Sequence, residues 1–233
     1  MEEEQASAQP ERQVFLREGT IVLRWLFGYL NKRNLPGWTK PLRWPHTLST
    51  WLPKKPKTRF REATLIDIDI DGVKEQDGIP VQFHIGISIL HTKHLHNEPL
   101  PFTESQAKII RSFHWVVQDP NYFDKNENRF CFDEHRCIPL SSLEECLKKL
   151  LGPHYPLILV VHGISRERIV LRKLNIDLNP IFIIDTTKAA RYPLQEFHDS
   201  TLKKFLQGFD IPFTGRLLHF TGNDAHFILR LYL

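Results

Sequence analysis

The chain has one methionine, three cysteines and no long apolar run. The thiols are Cys131, Cys137 and Cys146. Three cannot all pair with one another, so the simplest expectation is a reduced, intracellular protein, nuclear or cytoplasmic. No stretch reaches the roughly 20 apolar residues of a membrane span. The best candidate, Ile21 to Leu30, is short and holds Arg24. No membrane partner is expected. Met1-Glu2-Glu3-Glu4 lacks the early positive charge of a secretory or mitochondrial leader. Glycine is sparse at 11 residues, which excludes a collagen. What remains is ordinary globular composition, 41% hydrophobic and 25% charged over 233 residues. That length suits one full domain of about 150 residues plus an extension.

Acidic charge is missing from one long segment. Gly19 to Arg61 holds ten Lys/Arg and no Asp/Glu, whereas 1–18 and 62–233 each sum to −3. The formal net charge of +4 is therefore a local stripe. Four of the five tryptophans, Trp25, Trp38, Trp44 and Trp51, lie in it. Cations neutralise phosphates and rings stack on bases, so Lys54, Lys55, Lys57, Arg59, Trp44 and Trp51 are candidate nucleic-acid contacts. A basic arm whose tryptophans anchor it to the domain fits the same residues. The run from Pro53 to Arg59 also resembles a nuclear import signal.

Residues 1–11 read as disordered, and Val14 to Leu30 as a helix ended by Asn34, Pro36 and Gly37. Prolines at 36, 41, 45, 53 and 56 forbid long regular elements before Phe60. Two units are expected: an N-terminal tail, helix and basic arm over 1–61, and a folded domain over 62–233. In the second, Thr64 to Ile70 alternates as a strand, Gly72 to Gly78 reads as a turn, and Val81 to Leu90 returns antiparallel. Phe113 to Val117 is a candidate third strand. Ser141 to Leu151 reads as a helix capped by Ser141 or Ser142. Leu157 to Val161 and Ile181 to Ile184 are apolar runs typical of strands buried on both faces. Helices are expected over Arg166–Leu174, Leu194–Gln207 and Asp224–Leu231. Hairpin strands followed by β–α alternation predict an α/β fold, a mixed sheet flanked by helices.

Acids stand where apolar residues belong. On the first strand Ile66, Ile68 and Ile70 share one face, and Asp67, Asp69 and Asp71 the other. Clustered carboxylates repel unless cations hold them, and oxygen ligands suit Mg²⁺ or Mn²⁺. Glu167 shares a helix face with Val170, Leu171 and Leu174, and Asp224 with Phe227, Ile228 and Leu231. Both lie in a first helical turn, where a dipole role is the competing explanation. His219, five residues before Asp224, is expected near the entrance of that helix, where an imidazole beside a metal site can take a proton from an attacking water; a loop histidine with no such duty is the alternative.

These residues resemble, in order, the motifs of the DEDD 3′–5′ exonuclease superfamily, histidine subtype, which has an RNase H-like fold. Leu65-Ile66-Asp67-Ile68-Asp69 and Phe83-His84-Ile85-Gly86-Ile87-Ser88 match its first motif and returning strand. Val161-His162-Gly163 through Glu167 matches the second motif, and His219 to Asp224 the third. Asp185-Thr186 resembles the strand end that commonly follows the second motif. The block His219-Phe220-Thr221-Gly222-Asn223-Asp224-Ala225 is similar to one in a fungal exonuclease-like family named after a yeast suppressor of mRNA-export helicase defects. So is the stretch with Ser112-Phe113-His114-Trp115-Val116-Val117 and Arg129-Phe130-Cys131-Phe132. The resemblance implies a two-metal exonuclease on single-stranded RNA or DNA, RNA slightly ahead, releasing nucleoside 5′-monophosphates. Asp67, Asp69, Glu167 and Asp224 would hold two Mg²⁺ or Mn²⁺ ions, with His219 beside them. Asp69 is one methylene shorter, and Glu167 one longer, than the family's residue. The pair Asp69/Asp71 is an alternative to Asp67/Asp69. A weak or inactive exonuclease fold that binds RNA or a protein is the second reading.

Overall fold

A computed structural model describes residues 23, 63–96, 109–152, 156–163, 166–191 and 200–232. Lys54, Lys55, Lys57, Arg59, Trp44 and Trp51 lie outside the described residues. Of the helix expected over 14–30, Leu23 alone is described, in helical backbone packed on the core.

The strictly alternating segment forms β1 (Thr64–Gln76), and the next apolar segment forms β2 (Ile79–His91). They pair antiparallel, with Asp69 opposite Gly86 and Asp71 opposite His84. β1 runs through the expected Gly72–Gly78 turn, with an irregularity between Asp71 and Lys74. Gly72 has φ +65 and the His84 ring occupies its Cβ space at 2.7 Å, so the chain bends there without leaving the ladder. The turn is Asp77-Gly78 alone, both with positive φ.

β3 (Arg111–Val117) pairs antiparallel with β2. A connection containing α1 (Pro120–Asn126) leads to β4 (Glu134–Ile138), which lies parallel to β3. α2 (Leu143–Leu151) follows a 3-10 turn over Leu140–Ser142. The cap expected of Ser142 does not form: its backbone is already right-handed helical (φ −95, ψ −9), and its side chain makes no cap hydrogen bond. β5 (Leu157–Val161), α3 (Arg166–Lys173) and β6 (Phe182–Asp185) follow as β–α–β. α4 (Thr186–Ala189), α5 (Leu202–Gly208) and α6 (Thr221–Arg230) complete the described elements. α5 begins at Leu202, where Thr201 caps it, accepting from the Lys204 amide at 3.4 Å; the first part of the helix expected over Leu194–Gln207, 194–199, lies outside the described residues. α6 begins three residues before the expected Asp224.

The six strands lie in the order β4-β3-β2-β1-β5-β6, parallel except at the β1–β2 and β2–β3 pairs. This is the mixed sheet expected of an RNase H-like fold. One face packs Ile66, Ile68, Ile70, Ile85 and Trp115 against α2 and α3. The other packs Leu65, Leu90, Ile158 and Val160 against Ile228 and Leu229 of α6. Side-chain alternation puts Asp67 and Asp69 on this second face, under α6.

Candidate active site

Gly86 brings α6 onto the carboxylates. A Cβ there would stand 2.0 Å from the Thr221 carbonyl oxygen, so the first turn of α6 rests directly on β2. Gly222 repeats the device, its missing Cβ lying 2.7 Å from the His114 Cβ. Asn223, fully buried, donates to the carbonyls of Arg129 and Leu217 at 3.0 Å and accepts from the Cys131 amide at 3.3 Å. It thereby locks the 217–219 loop and the β3–β4 connection onto the helix start. Asp224 then faces β1.

His219 enters this turn in a left-handed conformation, φ 63. Its amide donates to both Asp224 oxygens, at 3.2 and 3.1 Å. The His219 residue is exposed. Asp69, Asp71, Glu167, His219, Thr221 and Asp224 line one open cleft of about 420 Å³. Asp67 lies beneath it, 0% exposed, with neither carboxylate oxygen hydrogen-bonded. Asp71 is exposed and pairs with Arg166 at 2.9 Å. Asp71 thus has a cationic partner at the surface, whereas the Asp67 oxygens have none.

The electrostatics follow from burial and crowding. Burial, then repulsion from Asp69, Glu167 and Asp224, drives the Asp67 carboxyl well above the usual range. Burial, then repulsion from Asp224, Glu167 and Asp71, pushes Asp69 up to about 8. Burial raises Asp224 to about 6 against the pull of His219. Burial also raises Glu167, opposed by backbone hydrogen bonds at Glu167 and Ile70. Among the described residues no group of three or more acids, histidines or cysteines is arranged so as to hold a metal ion. Four acids nonetheless face one another, and one has both oxygens orphaned. Oxygen-rich, crowded and unsatisfied, this set suits a hard divalent cation better than it suits itself.

A stability consequence is expected. Asp69 and Asp224 hold protons more tightly folded than unfolded. The resulting stabilisation is complete below the unfolded carboxyl pKa of about 4. It is lost as pH rises through the folded values of about 6 and 8. In EDTA the melting temperature should therefore fall between pH 5 and pH 8, and Asp69→Asn should flatten the fall. Added Mn²⁺ should raise it more at pH 8 than at pH 5, because cation and proton compete. A wild-type profile in EDTA as flat as that of the variant would oppose this.

Asp185 shows how the second motif is held. Although burial opposes it, hydrogen bonds from Thr187, Lys188 and the Gly163 backbone keep its carboxyl below the usual range. It accepts from the Thr187 amide at 3.1 Å and the Gly163 amide at 3.3 Å, fixing the turn between β5 and α3. His162 Nδ1 shares a 2.7 Å hydrogen bond with Thr186 Oγ1. Asn223 escaped the sequence reading. The one available sign was an asparagine wedged between the glycine and the aspartate of the last motif.

The family model described as DEDDh_C, DNA polymerase III subunit epsilon-like, C-terminal domain, matches residues 64–233. The chain belongs to this family. No curated protein matches it. The DEDDh domain spans the whole described sheet, and members of the family generally use divalent metals. No described helix is long and apolar enough to cross a membrane.

Proposed function

We propose that the DEDDh domain is a 3′–5′ exonuclease on single-stranded nucleic acid, RNA slightly ahead of DNA, releasing nucleoside 5′-monophosphates. The observation that carries this is the convergence of Asp69, Glu167, Asp224 and His219, from three separate segments, on one cleft with Asp67 beneath. Asp67, Asp69, Glu167 and Asp224 are the residues that would hold two Mg²⁺ or Mn²⁺ ions. Bound there, such ions supply Lewis acidity toward a phosphodiester and its leaving oxygen. His219, exposed at the cleft, takes the proton of the attacking water. The water oxygen bonds phosphorus, and the 3′ oxygen of the preceding nucleotide leaves. The Asp224 carboxylate, held by the His219 amide, keeps helix and loop in register. The block His219–Ala225 also supports kinship with the fungal exonuclease-like family.

The shorter Asp69 and longer Glu167 favour the second reading, an exonuclease fold that binds RNA or a protein with little or no cleavage. Product analysis separates the two. RNA and DNA oligomers incubated with the chain and Mg²⁺ or Mn²⁺ should release nucleoside 5′-monophosphates, and none in EDTA. Nucleoside 3′-monophosphates, or no mononucleotide from folded protein, would contradict the proposal.

A further inference from the structure

The β3–β4 connection has no part in the chemistry above, yet it brings an aromatic ring, Tyr122, and a cation, Arg129, within electrostatic reach of one another, and the ring within reach of the cleft residue Asp71. Tyr122 stacks on His84, with centroids 3.4 Å apart and planes 18° from parallel. His84 is the register partner of Asp71 and sits against Gly72. The stack therefore stands on the strand pair that carries Asp69. Tyr122 is half-buried, and its amide is held by Asp119 Oδ1 at 3.1 Å. Gln82 donates to the other Asp119 oxygen. Strand and helix thus fix the ring from two sides.

Arg129 comes from the far end of the same connection. It is exposed, and its guanidinium lies over the Phe220 ring, 5.1 Å from the centroid. Its carbonyl accepts from Asn223, the neighbour of Asp224. The cation is therefore tied to the helical turn that supplies the last carboxylate. A cleft lined by four carboxyl groups repels a polyanion, so a strand that enters it needs a cation and a stacking surface close by.

We propose that Tyr122 and Arg129 form a subsite for one nucleotide of a single strand, the ring receiving the base and the guanidinium its phosphate. Every base has a π-face, so such a subsite is tolerant of sequence. The inference rests on the nucleic-acid part of the proposed function, and binding without turnover tests it separately from cleavage.

The experiment is fluorescence anisotropy of the full chain in EDTA with 5′-fluorescein decamers of U and of T, across a salt series. Tyr122→Ala should weaken binding about tenfold, and Tyr122→Phe should restore it to within about twofold. Arg129→Ala should weaken binding and lower the slope of log affinity against log salt by about 0.7, one phosphate contact. Melting curves identify variants that fold. Equal losses in Tyr122→Ala and Tyr122→Phe would overturn base stacking. Wild-type affinity in both alanine variants, or an unchanged salt slope in Arg129→Ala, would overturn the subsite. Tyr122-dependent binding in a chain without cleavage would keep the subsite and remove the exonuclease. Cleavage with binding indifferent to Tyr122 would do the reverse.

Discussion

Asp224→Asn is expected to reduce cleavage by on the order of a hundred- to a thousandfold while leaving the fold intact. The substitution preserves size, and an amide oxygen can still accept from the His219 amide that now reaches both carboxylate oxygens. What it removes is negative charge from a cleft whose proposed work is to hold cations. Burial already raises the Asp224 carboxyl to about 6, so in metal-free protein the carboxylate is a destabilising group at neutral pH. Loss of activity should accordingly come with an unchanged or higher melting temperature in EDTA, and with a smaller rise on adding Mn²⁺. Retained cleavage by the folded variant would remove Asp224 from the mechanism.

Gly86→Ala is expected to give the largest loss of stability. Its Cβ would meet the Thr221 carbonyl oxygen at 2.0 Å, the Thr221 carbonyl carbon at 2.2 Å and the Gly222 amide at 2.5 Å. All three are backbone atoms in the first turn of α6, so no side-chain rotation relieves the contact. Either α6 lifts from the sheet or β2 distorts. A cost above about 3 kcal/mol follows, at the upper end of overpacking. For a domain of this size that lowers the melting temperature by roughly 10 °C. Gly78→Ala is the control. Gly78, unlike Gly86, has positive φ, at +77, but nothing lies within 4 Å of its Cβ, so only backbone strain of about 1 kcal/mol is expected. Equal melting temperatures for the two variants would show that α6 does not depend on close approach at Gly86.

The elements legible in the sequence were those whose burial repeats with a simple period. Thr64 to Ile70 alternates because one face meets α2 and α3 while the other meets α6. Leu157 to Val161 is apolar throughout because its sheet position is covered on both sides. β4 was missed because Glu-His-Arg-Cys-Ile is a polar edge strand with one neighbour. α6 was read three residues short because Gly222 and Asn223 look like turn residues. In the folded chain Gly222 permits contact with His114 and Phe130, and the Asn223 side chain satisfies backbone groups outside its own helix.

The acids were legible for the opposite reason. Glu167 and Asp224 break apolar helix faces, Asp67 heads a row of acids opposite an apolar strand face, and charges in such settings mark a site. The sequence pattern left the Asp67/Asp69 and Asp69/Asp71 pairs open. The Arg166–Asp71 ion pair and the orphaned oxygens of Asp67 favour the first. Tyr122 and Arg129 carried no comparable signal. Their placement depends on how the β3–β4 connection folds back over Asn223, a long-range contact that no local period encodes.

The central claim is that the carboxylate cleft removes nucleotides from a 3′ end. The measurement that bears on it most directly is a time course on 5′-labelled single-stranded RNA and DNA, with free or blocked 3′ ends, in Mg²⁺, Mn²⁺ or EDTA. The account predicts a ladder that shortens from the free 3′ end, one nucleotide at a time, only when a divalent ion is present. Full-length strands throughout, or internal cuts that ignore the 3′ block, with protein shown to be folded, would contradict it.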